Sequence, residues 1–387
     1  MKMFFRKYGK RAAAAVLTAT MIMSMTACGS TPAAEEAPAA TASFESLEDI
    51  PVAEATEEPA AEEEETKEAY VLPEGMYFSE ITGEPISEDI KDQRPIAVMV
   101  DNEKTALPHY GTSEADVVYE LMNSTANDRI TRLMCIVKDW GKIEQMGSVR
   151  STRPTNIMLA AEWNAVLCHD GGPYYNDQYF SQPWASHFSG TFSRVNNGKA
   201  REFTEYIVSG DLESNFSSKE GNSAYSTTYN EYANAGSHFN FVDYGDEIFL
   251  DQKYSRSYTA RKIVLPFTHN GSHLIMNEET NEYEYYEYDD RHEDAEDDEP
   301  LSFKNVILQN CSFAQLDDHG YLIYNCIGSG NGWYITNGVA KDISWVKTSE
   351  TDVTRYYDEN GDELQINTGK TYISLIPDDT WDKVIFE

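Results

Sequence analysis

Four arginines, Arg129, Arg132, Arg150 and Arg153, cluster along a short stretch of the chain with the hydroxyls of Ser148, Ser151 and Thr152. Guanidinium forks bind carboxylate or phosphate through paired hydrogen bonds, and a helix N-terminus adds N–H donors and the positive end of a dipole. The pattern reads as an anion pocket. Pro154 fits it, since proline favours the first position of a helix, here one running through Trp163 with Ser151 or Thr152 near its cap. Asp101, Asn102, Glu120, His169 and Asp170 form a second polar set at or near strand ends that could converge on the arginines. Two other readings compete. The arginines could pair with Asp101, Asp116 and Glu120 as a buried structural network. Alternatively, Ser151 could serve a cell-envelope hydrolase as nucleophile, or Asp101 with His169 as its acid–base pair. Neither Ser148 nor Ser151 sits in a G-x-S-x-G elbow or an S-x-x-K motif, so no sequence signature favours the enzyme.

These residues depend on a set of strands. Ile96 to Val100 is a continuous apolar run ending at Asp101 and Asn102, which predicts a buried central strand with polar groups at its C-terminal end. Thr112 to Asp116 suggests a short helical turn leading into a strand from Val117 to Glu120. Another strand enters through Arg129 and runs to Val137, with Arg129, Thr131 and Leu133 on one face and Ile130 and Arg132 on the other. Ala165 to Asp170 is a further strand, broken by Gly171, Gly172 and Pro173. From Tyr174 to Ser257 periodicity is poor, predicting short helices and long excursions on the sheet edge. Beyond it β runs recur from Phe303 to Ile376, separated by turns. The expected class is α+β: a mixed α/β N-terminal domain over residues 71–257 and a mainly β C-terminal domain over 258–387. The acidic stretch Tyr288 to Glu299 reads as a solvated loop, and it lacks the D-x-D-x-D-G pattern of a calcium loop.

The N-terminus carries an address. Lys2, Arg6, Lys7, Lys10 and Arg11 precede the apolar run Ala12 to Met25, which closes on Thr26, Ala27 and Cys28. This is the pattern of a lipoprotein signal over residues 1–27, with Cys28 lipidated as the new N-terminus. The run is shorter than the roughly 20 residues a spanning helix needs. Residues 28–70 are rich in Ala, Pro, Thr and Glu and hold almost no large apolar side chain, so they predict a disordered acidic linker. The expected location is extracytoplasmic, tied to the membrane by the lipid, with a cell-wall or envelope protein ligand as partner. The chain's 66 acidic residues against 30 basic ones, a net charge of −36, exclude a nucleic-acid ligand, which needs a basic footprint. Cys311 and Cys326 could bridge adjacent strands in such a compartment, as could Cys135 and Cys168. No C-x-x-C pair is present, and neither a metal nor a cofactor is expected.

Several segments in order carry a family resemblance. They are Arg94 to Asn102, Gly111, Ala115 to Glu120, Ile130 to Arg132, Gly147 to Arg153 and His169 to Gly172. In the second half they continue with Phe303 to Val306, Gly328 to Gly332, Ile343 to Trp345, Asp358 to Gly361 and Asn367 to Thr371. Together they resemble the YerB-like lipoproteins over nearly all of the chain beyond the linker. That resemblance implies a two-part architecture and an envelope address, and names no reaction. Asn127, Asp128 and Arg129 stand where the family usually shows a Glu-Gly-Gly-like turn.

Overall fold

A computed structural model describes residues 70–387. The stretches expected to be the signal sequence and the linker, Cys28 included, up to Ala69, lie outside the described residues. Every residue of β1 (Ile96–Asp101), β2 (Val117–Met122) and β3 (Thr131–Val137) is buried, as continuous apolar runs require of strands covered on both faces. β3 lies antiparallel between β1 and β2, with Asp101 opposite Arg132. The chain then forms α1 (Pro154–Glu162), followed by β4 (Val166–His169), parallel to β1, and β5 (His187–Ser189), parallel to β4. After short helices and loops come β6 (Tyr258–Thr259) and the first strands of a second sheet: β7 (Lys262–Val264), β8 (His273–Asn277), β9 (Glu282–Glu287), β10 (Asp290–Arg291) and β11 (Ser302–Phe303). β12 (Asn305–Cys311), β13 (Gly328–Thr336), β14 (Val339–Lys347), β15 (Arg355–Tyr357) and β16 (Thr371–Pro377) return to the first sheet, and β17 (Ile385–Phe386) closes the second.

The large sheet has eleven strands in the order β6-β14-β13-β12-β16-β2-β3-β1-β4-β5, with β15 beside β14. β16 pairs in parallel with both β12 and β2, so strands from the two halves of the sequence are neighbours in one sheet, and the described residues pack as one unit. The period of two sorts the side chains. Met99, Tyr119 and Met134 face α1 through Ile157 and Leu159. Val98, Val118 and Leu133 face the second sheet through Ile263, Leu274 and Tyr285. Among the described residues no helix is long and apolar enough to cross a membrane.

Arg153 is the N-cap of α1, directly after Ser151 and Thr152, and the side-chain oxygen of Asn156 accepts from its backbone N–H at 3.2 Å. Other expectations need correction. The stretch from Tyr288 to Glu299 is not a solvated loop throughout, because His292 and Asp294 are buried while Arg291 and Glu293 between and beside them are exposed. That alternation is a strand-edge signal hidden under the charge. The four described cysteines are buried and unpaired. Cys135 and Cys168 both stand opposite Val98, one on each side of β1, so an entire strand separates them and no bridge can form.

Glu120 on β2 ties the layers together. Its Oε1 accepts from Asn102 (3.2 Å), Thr131 (2.8 Å), Asn270 (3.0 Å) and Ser272 (3.2 Å), and its Oε2 from Tyr285 (3.1 Å) and Tyr372 (2.6 Å). Burial pushes this carboxyl upward, and the hydrogen bonds from Tyr372, Asn270 and Thr131 oppose the rise. Truncation by Glu120→Ala leaves several buried donors without an acceptor, at about 1–3 kcal/mol each. Chemical denaturation of this variant should show a loss of at least about 3 kcal/mol; a loss below about 1 kcal/mol would remove Glu120 from this role.

Candidate functional site

Residues 148–153 cross the ends of the parallel strands β1 and β4 and lead into the N-terminus of α1. The backbone fixes the segment there. Asp101 N donates to Ser148 O (3.0 Å), Arg150 N to Met99 O (2.8 Å), Asp170 N to Arg150 O (3.0 Å) and Thr152 N to Gly171 O (3.2 Å). Arg150 thereby reaches the buried Asp101, with Nε 2.8 Å from Oδ2, and also pairs with Glu202. The β1–β3 register brings Arg132 to the other Asp101 oxygen at 3.8 Å.

Arg153 enters from the helix cap and has no carboxylate within hydrogen-bonding distance. Its Nε donates to the Asn123 carbonyl (3.0 Å), and one amino group donates to the Thr152 carbonyl (2.8 Å) and to Ser151 Oγ (3.4 Å). Its guanidinium also lies over the Tyr321 ring, 4.5 Å from the centroid. The Asn123 side-chain oxygen, turned toward the cations, accepts from Arg132 at 3.2 Å and from Arg153 at 2.9 Å. Three guanidiniums therefore share one buried carboxylate and the half-exposed Glu202. Arg132 Nε, Asp101 Oδ1 and Ser148 Oγ are buried without a hydrogen-bond partner. Burial, reinforced by Arg132, pulls Arg153 down to about 9, still cationic at neutral pH. Arg132 is likewise lowered by burial, with Asp101 opposing. The Arg150 side chain is 21% exposed and Ser151 is half-buried, so the cluster opens to solvent on their side.

Other candidates go elsewhere. Arg129 forms a bidentate pair with Asp379 outside the pocket. Asn127, Asp128 and Arg129 have φ of 53°, 55° and 64°, a left-handed turn of the kind glycine favours, and this turn aims Arg129 away from Arg132. Asn102 and Glu120 point to the opposite face of the sheet, into the network described above. Asp170 pairs with Arg194 at 2.7 Å; burial would raise its carboxyl, but the hydrogen bond from Arg194 brings it below the usual range. Asp116 accepts from the Lys138 backbone at 2.7 Å instead of from an arginine. His169 uses Nδ1 on the Gly171 carbonyl (2.8 Å) and Nε2 on His187 Nδ1 (2.9 Å). His169 therefore bonds neither Ser151 nor Asp101 in this structure.

Sequence reasoning missed Asn123, Glu202 and Tyr321. Asn123 directly follows β2 and could have been found as a polar strand end, whereas Tyr321 arrives from the far half of the chain without a local signal.

A sheet buried on both faces, with a cationic cluster at its strand ends and strands from both halves interleaved, defines a family rather than a chemistry. The chain matches the family described as protein of unknown function (DUF3048), with its N-terminal domain at residues 81–224 and its C-terminal domain at 263–373, and it belongs to that family. It is 24% identical over 316 residues to "Putative lipoprotein YerB" of Bacillus subtilis (strain 168), covering 77% of this chain and 86% of that protein. The crystal structure of the Bacillus subtilis YerB protein superposes with a TM-score of 0.67 at 19% identity, over 80% of this chain and 99% of that one. This second likeness is one of fold.

The buried histidines give the fold a pH limit. Burial lowers His169 and His187 from 6.5 to about 4, and His238 to about 3. Each penalises its charged form in the folded state, so the stability it contributes is intact above pH 6.5 and is lost as pH falls toward 4. Asp116 and Glu205, carboxyls that burial raises to about 7, shift stability the other way, so the histidine contribution is read as a difference. His238→Gln should lose stability less steeply than wild type between pH 6.5 and 4 in denaturation midpoints, and equal slopes would contradict the burial of a neutral ring.

Proposed function

We propose that the protein is an extracytoplasmic lipoprotein, anchored to the cell membrane through a lipid on Cys28, whose arginine pocket binds an anionic cell-envelope ligand. The family membership and the lipoprotein name borne by its Bacillus relative support the envelope address. The basic, apolar and small-small-Cys segments at the N-terminus support the anchor. The observation that carries the binding reading is the charge imbalance at Arg132, Arg150 and Arg153. Asp101 and Glu202 are the carboxylates that pair with them, Glu103 and Asp317 act on Arg132 and Arg153 from further off, and Arg132 Nε has no hydrogen-bond partner. A buried cation without full compensation is costly, and an incoming anion would remove that cost. A phosphate of the wall or a carboxylate of a peptidoglycan stem has the planar or tetrahedral oxygens such forks accept. Arg150 is the exposed arm that would meet the ligand first, and Arg153 the seated one.

Calorimetric titration of the full-length protein in detergent with inorganic phosphate and with a muramyl pentapeptide tests this. Wild type should bind at least one of the two, and Arg150→Ala and Arg153→Ala should each weaken binding by about 10- to 100-fold with the fold retained. Absence of binding by wild type, or aggregation of both variants, would assign the arginines to the core instead.

A further inference from the structure

Behind the arginine pocket, on the other side of the Asp101 backbone, two histidines and a glutamate meet in a wholly buried space. His109, Glu287 and His292 are 0%, 2% and 4% exposed, and they offer one ligand atom each within 4.8 Å of one another. Their hydrogen bonds fix which atoms face inward. His109 Nε2 lies 2.6 Å from the Asp101 carbonyl, an acceptor only, so Nε2 carries the proton and Nδ1 holds a lone pair. His292 Nε2 lies 3.0 Å from Thr112 Oγ1, which lies 3.2 Å from Asp294 Oδ2. With the threonine proton on Asp294, the oxygen accepts from His292 Nε2 and His292 Nδ1 holds a lone pair; with that proton on His292 Nε2, Nδ1 donates to Glu287 instead.

Both Nδ1 atoms point at the same carboxylate oxygen. Glu287 Oε1 is 2.9 Å from His292 Nδ1 and 3.8 Å from His109 Nδ1, while Glu287 Oε2 and His109 Nδ1 have no hydrogen-bond partner. With both lone pairs inward, three electron-rich atoms converge in a buried space and repel one another unless a positive charge sits among them. Ligands of a tetrahedral zinc stand about 3.3–3.6 Å apart, given bond lengths of about 2.0–2.2 Å, and the two separations straddle that value. The second shell has the form metal-binding histidines use, each ring donating its other N–H to a carbonyl or a carboxylate-held hydroxyl. Asp294 is itself locked by Gly111 N (3.0 Å) and Ser113 N (2.8 Å). The turn carrying them needs Gly111: its φ is +70°, and a Cβ there would stand 2.5 Å from the Gln145 carbonyl.

We propose that His109, Glu287 and His292 bind a divalent transition-metal ion of the zinc class. A borderline two-nitrogen, one-oxygen donor set favours such an ion over calcium or magnesium, which take oxygen ligands. The rival is a single proton between Glu287 and His292, carried by the carboxyl or by Nδ1. Glu287→Gln separates the two, because its amide can donate to His292 or accept from it but cannot replace an anionic ligand. Full-length protein in detergent is stripped with EDTA, dialysed and titrated with zinc alone. Wild type should take up one tight equivalent, and Glu287→Gln should lose more than the ~10–100-fold in affinity that outer-shell changes cost, while keeping its metal-free denaturation midpoint. Zinc-edge X-ray absorption on loaded wild type should show two imidazoles, a readout that survives if the variant misfolds. No tight equivalent in wild type, unchanged zinc affinity in Glu287→Gln, or an edge spectrum without imidazole would overturn the site.

Discussion

The fold turns on an acid placed where acids are rarely tolerated, in the middle of a sheet covered on both faces. Glu120 has no cation beside it, and six neutral donors hold it instead. Asn102 and Thr131 come from the first half of the chain, and Asn270, Ser272, Tyr285 and Tyr372 from the second. Neither half can satisfy the carboxyl alone. The parallel pairing of β16 between β12 and β2 has the same consequence for the backbone. Two sequence pieces that match separate family domains are thus bound into one body by polar as well as apolar contacts.

That arrangement positions the candidate site by strand alternation. Asn102 turns toward Glu120, so Asp101 must face the other side of the sheet, toward Arg132 and the start of α1. Charge balance there differs from the rest of the interior. Lys347 has Glu162 at 2.7 Å, and Lys138 has Glu80 at 2.6 Å. Arg94 is fully buried without a carboxylate, but its nitrogens reach the Asn164, Ala224 and Ser226 carbonyls and Ser186 Oγ. The Arg132, Arg150 and Arg153 group is different because Arg132 Nε is left over in a protein whose net charge is −36. Asp101 also links this group to the two histidines, its side chain serving the arginines and its carbonyl serving His109.

Much of this was legible in the chain. Ile96–Val100, Val117–Glu120 and the apolar run ending at Val137 form the strands their composition implies, because a run buried on both faces needs no pattern beyond hydrophobicity. Arg132, Arg150, Arg153, Ser151 and Asp101 come together because short segments at adjacent strand ends converge. Arg129 does not, since a left-handed turn reverses its direction, and such a turn is hard to read when Asn, Asp and Arg replace glycine. His109 and His292 were invisible as a pair: they lie on distant segments, and the acidity around His292 imitates a solvated loop. The Glu120 network escaped for the same reason, its partners arriving from six places along the chain.

The central claim is that the arginine group awaits an anion. A crystal of the protein soaked in phosphate tests it directly: density bridging Arg132, Arg150 and Arg153, with Arg132 Nε among the donors, is the expected result. Three guanidiniums holding only Asp101, Glu202 and backbone carbonyls in the soaked crystal would contradict it.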